Sequence, residues 1–193
     1  MRTSLILCPT NDEQKHLGHC SAASGSPPQA IARAPIAALR TVAAEGGVYP
    51  ELRADRIREA ARIVLEEFDG DLDAVLIAPA ARRRRMLKKF PSIGDPGVDK
   101  ILLLSRTEPS VALDSNGLRV LLRLGFGKES KSYAQTYASV RRVLGEFHER
   151  DFELLIDAHF LLARHGRELC KRTAPLCEPC PLKATCAFYQ RSR

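Results

Sequence analysis

CKRTAPLCEPCPLKATC, residues 170–186, is the stretch whose reading decides the fold. It gathers four of the six cysteines in the spacing Cys170-x6-Cys177-x2-Cys180-x5-Cys186. Pro175, Pro179 and Pro181 stiffen the turns between them. Four thiolates on one short loop can wrap a single metal centre. Zinc takes four cysteines at tetrahedral geometry, but its structural sites usually pair two short knuckles of the C-x2-C type. Only one such knuckle is present. A [4Fe–4S] cluster takes one cysteine per iron, which suits uneven spacing. Free thiols or paired disulfides are the bland alternative.

Composition bounds the rest. The chain has 193 residues, 45% apolar and 27% charged, the balance of an ordinary globular protein with one or two small domains. No apolar run approaches the roughly 20 residues that span a bilayer, so no membrane partner is expected. At the N-terminus the apolar run is only Leu5-Ile6-Leu7, too short for a signal peptide, and Leu7 before Cys8 argues against a lipoprotein site. These features predict a cytoplasmic protein, where disulfides are rare. The net charge of +7 favours a polyanion, and nucleic acid is the commonest. Four thiolates around a cluster core of +2 would subtract 2 and leave about +5.

Upstream of the cysteines the pattern is helical. Residues 1–30 include HCSAASGSPPQ, which has no apolar period and reads as a poorly ordered lead-in. APIAALRTVAAEGG runs from Pro35 to a glycine pair. LRADRIREAARIVLEEFDG sets Leu52, Ile57, Ala60, Val64 and Phe68 near helical spacing. LDAVLIA, PAARRRRMLKKF, GVDKILLLSR, SNGLRVLLRLG, SKSYAQTYASVRRVLGEF and DFELLIDAHFLLARHG follow, the last ending on Gly166. Alternating strands are absent, so the expected class is all-α. The expected organisation is a lead-in over 1–30, a helical domain over 31–150 and a C-terminal helix with its metal loop over 151–193. Between a cationic run and an apolar helix lies FPSIGDPGVDKILLL, residues 90–104, in which Gly94-Asp95-Pro96-Gly97 breaks the helical pattern.

The cysteine loop and its lead-in DAHFLLARHGRELC resemble the iron–sulfur loop of the endonuclease III family of DNA glycosylases. Two further family features stand upstream in order. FPSIGDPGVDKIL is similar to the hairpin of a helix–hairpin–helix, and SVALDSNGLRVLLRLG is similar to the segment bearing the catalytic aspartate. The resemblance covers about residues 46–188. It implies an all-α helix–hairpin–helix glycosylase of base excision repair that binds a [4Fe–4S] cluster through Cys170, Cys177, Cys180 and Cys186. Its partner would be double-stranded DNA with a damaged or mismatched base, and it would work as a monomer. A non-catalytic or degenerate DNA-binding iron–sulfur protein is the competing reading.

The resemblance also assigns residues. Ser92, Ile93, Gly94 and Gly97 would bring backbone N–H groups to a DNA phosphate at a helix N-terminus. Such contacts position the protein without reading sequence. Ser92 stands where the family usually has glycine; if that position needs positive φ, serine costs about 1 kcal/mol. Arg85, Lys88 and Lys89, nearest the hairpin, are the candidate backbone contacts, while other cations of the run are solvated charge. Asp114 would stabilise positive charge on the sugar as the base departs and orient the attacking water. An N-cap is the plainer role, and the two are compatible. Strand-cleaving members carry a lysine two residues after the last hairpin glycine. Here that position is Pro96, which has no amine, so a monofunctional glycosylase is expected. Lys100, one turn further on the same helix face, is the alternative amine.

Tyr133, Tyr137, Phe126 and Phe160 are set between base pocket and core; His159 and His165 read as packing or capping groups. Cys8, His16, His19 and Cys20 contain zinc-ligand types in poor surroundings. Relative to the family, the expected N-terminal helices, one bearing a glutamine, are not recognisable before Val48.

Overall fold

The computed structural model describes residues 28–145 and 151–191. Most of the expected lead-in, with Cys8, His16, His19 and Cys20, lies outside the described residues. The chain divides into two compact units, Met1–Ile93 and Gly94–Arg193. Among the described residues every regular element is helical, as the all-α expectation required. No helix among them is long and apolar enough to cross a membrane.

In the first unit α1 (Pro28–Arg33) and α2 (Ile36–Ala44) pack against α3 (Pro50–Phe68). Pro50 occupies the first turn of α3, where its missing N–H costs nothing. The buried stripe of α3 is Ala54, Ala61, Ile63, Val64 and Phe68. Leu52, expected on that stripe, is 47% exposed. Arginines of α3 secure its neighbours. Arg58 donates to Ala34 O at 2.8 Å and Arg53 to Ala43 O at 3.0 Å, both at helix C-terminal ends that favour cations. Asp69 and Gly70, both at positive φ, turn the chain. Asp71 then caps α4 (Asp73–Ile77) by accepting from Asp73 N and Ala74 N. The last helix of the unit is α5 (Ala80–Leu87). The Phe68 and Phe90 rings stack at 5.8 Å, and each buried ring contributes roughly 2–3 kcal/mol.

The second unit holds α6 (Asp95–Leu104), α7 (Ser115–Leu124), α8 (Tyr133–Leu144), α9 (Phe152–Glu168), a 3-10 turn (Lys183–Thr185) and α10 (Ala187–Arg191). Leu113, Leu118, Leu121, Tyr137 and Val140 form one buried cluster, and Leu103, Ala112 and Leu155 another. The expected boundary at 150/151 falls inside this unit, where α9 packs chiefly on α7. α6 begins at Asp95 with Pro96 in its first turn, so Gly97 is helical and the break between helices covers residues 88–94. At its other end Arg106 takes φ +55, with Thr107 N bonded to Leu102 O and Arg106 N to Leu103 O, closing the last carbonyls.

Asp99 of α6 is fully buried. Its Oδ2 accepts from the Tyr137 hydroxyl at 2.8 Å and pairs with Arg141 Nε at 3.2 Å. Burial and the Asp99 carboxylate push the Tyr137 hydroxyl far above its ordinary pKa, so it stays a donor. The pair ties α6 to α8.

α9 corrects one expectation. Gly166 does not end the helix, which continues to Glu168. A Cβ on Gly166 would lie 2.7 Å from both Asn116 Cβ and Asn116 O. The glycine is there because α7 and α9 touch backbone to backbone.

Candidate active site

Asp114 is fixed from both sides. Ala112 and Leu113 before it are buried, and buried His159 donates from Nδ1 to Ala112 O at 2.9 Å. After it, α7 begins with Asp114 as N-cap. Its Oδ1 accepts from Gly117 N at 2.7 Å and its Oδ2 from Asn116 Nδ2 at 3.1 Å. The plainer capping role is therefore present. The Tyr133 hydroxyl, on a side chain 48% exposed, is pushed up by burial and by the Asp114 carboxylate, which places the two in one electrostatic neighbourhood.

From the carboxylate a polar chain runs toward the cysteines. Asn116 Oδ1 accepts from Arg119 Nη2 at 2.9 Å, and the same nitrogen donates to Gly166 O at 2.7 Å. Arg119 Nε donates to Cys170 O at 2.9 Å. One turn on, Arg123 Nη1 donates to Cys170 Sγ at 3.2 Å and to Lys171 O at 2.7 Å, and Nη2 to Arg172 O at 3.0 Å. Asn116 and Arg123 received no role from the sequence. The available signal was the four-residue spacing of Arg119 and Arg123, which puts two cations on one helix face.

Cys170, Cys177, Cys180 and Cys186 line one small pocket, partly open to solvent, walled by Val120, Leu124, Leu169 and Phe188. All four are free of disulfides. The Cys177 thiol is raised by burial and then by Cys186, Cys170 and Cys180. The Cys186 thiol donates to Arg123 O at 3.4 Å, and His165 Nε2 lies 3.7 Å from Cys180 Sγ. Among the described residues no group of three or more His, Cys, Asp or Glu is arranged to hold a metal ion. Of the aromatic candidates, Tyr137 and Phe126 belong to the core, whereas Phe160 is 38% exposed and meets His159 edge-on.

The turn that ends the first unit has Ile93 N bonded to Phe90 O at 3.2 Å and Ser92 at φ +69. This is the left-handed conformation that a glycine adopts without strain. Gly94 opens the second unit as N-cap of α6 and accepts from Val98 N at 2.9 Å. Ser92→Gly is expected to stabilise the protein by roughly 1 kcal/mol, read as a higher denaturant midpoint. No gain would mean that the turn holds serine without strain. Arg85 and Lys88 are exposed on α5 and just after it. Lys89 is exposed but paired with Glu67. Arg83 is not plain solvated charge, because its Nη1 donates to Leu76 O in the last turn of α4 and to Ala78 O at its C-cap.

No family model matches the chain. Endonuclease III of Thermotoga maritima is 30% identical over 164 residues, which are 85% of this chain and 70% of that protein. The chain belongs to the endonuclease III family. The endonuclease III of Sulfolobus acidocaldarius is also 30% identical, over 125 residues and 52% of its own length. The thymine/uracil-DNA glycosylase of Pyrobaculum aerophilum is 26% identical over 165 residues, 85% of this chain and 68% of its own. Among solved structures, a trapped endonuclease III–DNA covalent intermediate superposes with a TM-score of 0.67 at 24% identity, covering 86% of this chain and 72% of that one. A thermostable thymine-DNA glycosylase gives 0.64 at 21% identity, covering 85% and 70%. At these identities the structures support the family's fold.

Proposed function

We propose that this protein is a monofunctional DNA glycosylase of base excision repair, hydrolysing the N-glycosidic bond of a damaged or mispaired base in double-stranded DNA. Family membership supports the glycosylase class. The observation that carries the mechanism is the Asp114 carboxylate, held by Gly117 N and Asn116 at the start of α7. As the base leaves, positive charge grows on the sugar, and a fixed carboxylate stabilises it without reorganising. The same group orients water for attack. A base must leave the stack to reach such a site. In the first unit the Ser92 N–H, with Arg85 and Lys88, and in the second unit the N–H groups of Gly94 and Gly97 at the start of α6, are the groups that would meet DNA phosphates.

Pro96, two residues after Gly94, lies in the first turn of α6 and brings no amine. Lys100 stands one turn later on the same helix. Borohydride is expected to trap no covalent enzyme–DNA adduct, because trapping needs a Schiff base from an amine. A trapped adduct that disappears in Lys100→Met would overturn the monofunctional route and name the nucleophile.

A [4Fe–4S] cluster at Cys170, Cys177, Cys180 and Cys186 is supported by four free thiols lining one pocket, an apolar wall beside them and one arginine, Arg123, at the Cys170 sulfur. Bound there, the cluster would tie the segment 170–186 to itself, while Arg119 and Arg123 hold that segment to α7. The protein works as a cytoplasmic monomer in this reading. A panel of duplexes carrying single lesions and mismatches, assayed with and without alkali, tests the whole. Base release from at least one duplex, with strands cut only after alkali, is expected. Salt-sensitive duplex binding with no release from any member would favour a non-catalytic DNA-binding protein.

A further inference from the structure

We propose that Arg123 sets the reduction potential of the cluster held by the cysteine loop, through a charged hydrogen bond to the sulfur of Cys170. The proposal rests on the reading of the pocket as a [4Fe–4S] site. Arg123 is clamped on several sides. Nη1 reaches Cys170 Sγ at 3.2 Å and Lys171 O at 2.7 Å, Nη2 reaches Arg172 O at 3.0 Å, and the Phe188 ring lies 4.5 Å from the guanidinium carbon. The guanidinium fork is rigid, so these contacts together hold one N–H on the sulfur. Among the described residues none of its contacts is with a carboxylate.

Arg119 differs in kind. Its contacts are the carbonyls of Cys170 and Gly166 and the Asn116 side chain, all neutral oxygens. Lys183, also at the pocket, is paired with Glu178. Arg123 is thus the cation of the pocket that donates to a ligand sulfur. A cluster that takes up one electron gains one negative charge. A fixed cation in a part-buried site favours that state over the oxidised one, and a hydrogen bond to a ligand sulfur acts in the same direction. The long arm of the loop, the six residues between Cys170 and Cys177, is pinned by the same side chain through the carbonyls of Lys171 and Arg172.

The test is the midpoint potential of the full cluster-loaded chain, measured on an electrode that supplies the single electron; no bond forms or breaks in the couple. Arg123→Met and Arg123→Gln are expected to shift the potential negative by a factor of ten in the reduction equilibrium, about 59 mV for one electron. Arg123→Lys, which keeps the charge and loses the fork, should fall between. Lys183→Met, an equal loss of charge without a sulfur contact, should move it far less. Wild-type potential in a fully loaded neutral variant overturns the proposal, as does an equal shift in Lys183→Met. If neither neutral variant retains iron, deuterium exchange decides. An isotope shift of the iron–cysteine sulfur vibration in the wild type that is absent from Arg123→Lys supports the hydrogen bond, and equal shifts in both overturn it. A colourless wild type carrying one zinc would instead defeat the cluster reading, before any variant is compared.

Discussion

Asp114→Asn is expected to lower base release on the order of 10³-fold while leaving thermal stability almost unchanged. The two effects separate because the residue has two roles. As an N-cap, Asp114 accepts from Gly117 N at 2.7 Å, and asparagine caps a helix about as well as aspartate. As a catalytic carboxylate it supplies a negative charge, which asparagine lacks. Asp114→Ala removes both roles, so it should lose the same activity and, in addition, about 1 kcal/mol of stability. Single-turnover release from the best duplex of the panel, set beside melting curves, checks both statements. Wild-type release by Asp114→Asn would reduce the residue to a cap and move the chemistry elsewhere.

Gly166→Ala is expected to destabilise the protein by about 2 kcal/mol, although alanine is the better helix former. Two terms compete. Replacing a glycine inside a helix gains about 1 kcal/mol. Against that, the new methyl would stand 2.7 Å from Asn116 O and 2.9 Å from Asn116 C, which are backbone atoms and cannot swing aside. Overpacking of this kind costs about 3 kcal/mol, so the clash wins. Parting α9 from α7 also stretches the bonds from Arg119 to Gly166 O and Cys170 O. Iron retention should fall together with a drop in melting temperature of roughly 6 °C. An unchanged or higher melting temperature would show that the helices do not meet this closely.

Much of the fold was legible from local chemistry. Pro35 and Pro79 mark helix starts, and Asp114 followed by an apolar run marks another. Glycine was the poorer guide, because one residue type answers two different needs. Gly125 ends α7 at φ +103, but Gly166 lies within α9 and serves a helix contact. At position 92 the need for positive φ was readable only through the family, and the structure places serine there at φ +69. The cationic run AARRRRMLKK was divided in sequence only by nearness to the hairpin, which set Arg85, Lys88 and Lys89 apart from solvated charge. Its members divide into a cap (Arg83), an ion pair (Lys89) and exposed charge (Arg85). Partners 5 to 22 residues away made that division.

By itself the sequence determined what short-range spacing can encode: an all-α chain, a four-cysteine loop, a cap-forming aspartate, and a proline just after the hairpin. These follow from backbone stereochemistry and from residue types that no later packing can alter. Only the tertiary structure decided that Asp114, Asn116, Arg119 and Cys170 stand in one hydrogen-bonded series, or that Arg123 meets a sulfur 47 residues away. The reason is physical. α7 and α9 approach until their backbones touch, and that approach turns two arginines four residues apart toward one loop. Long side chains on a helix have no fixed partner until a second helix arrives.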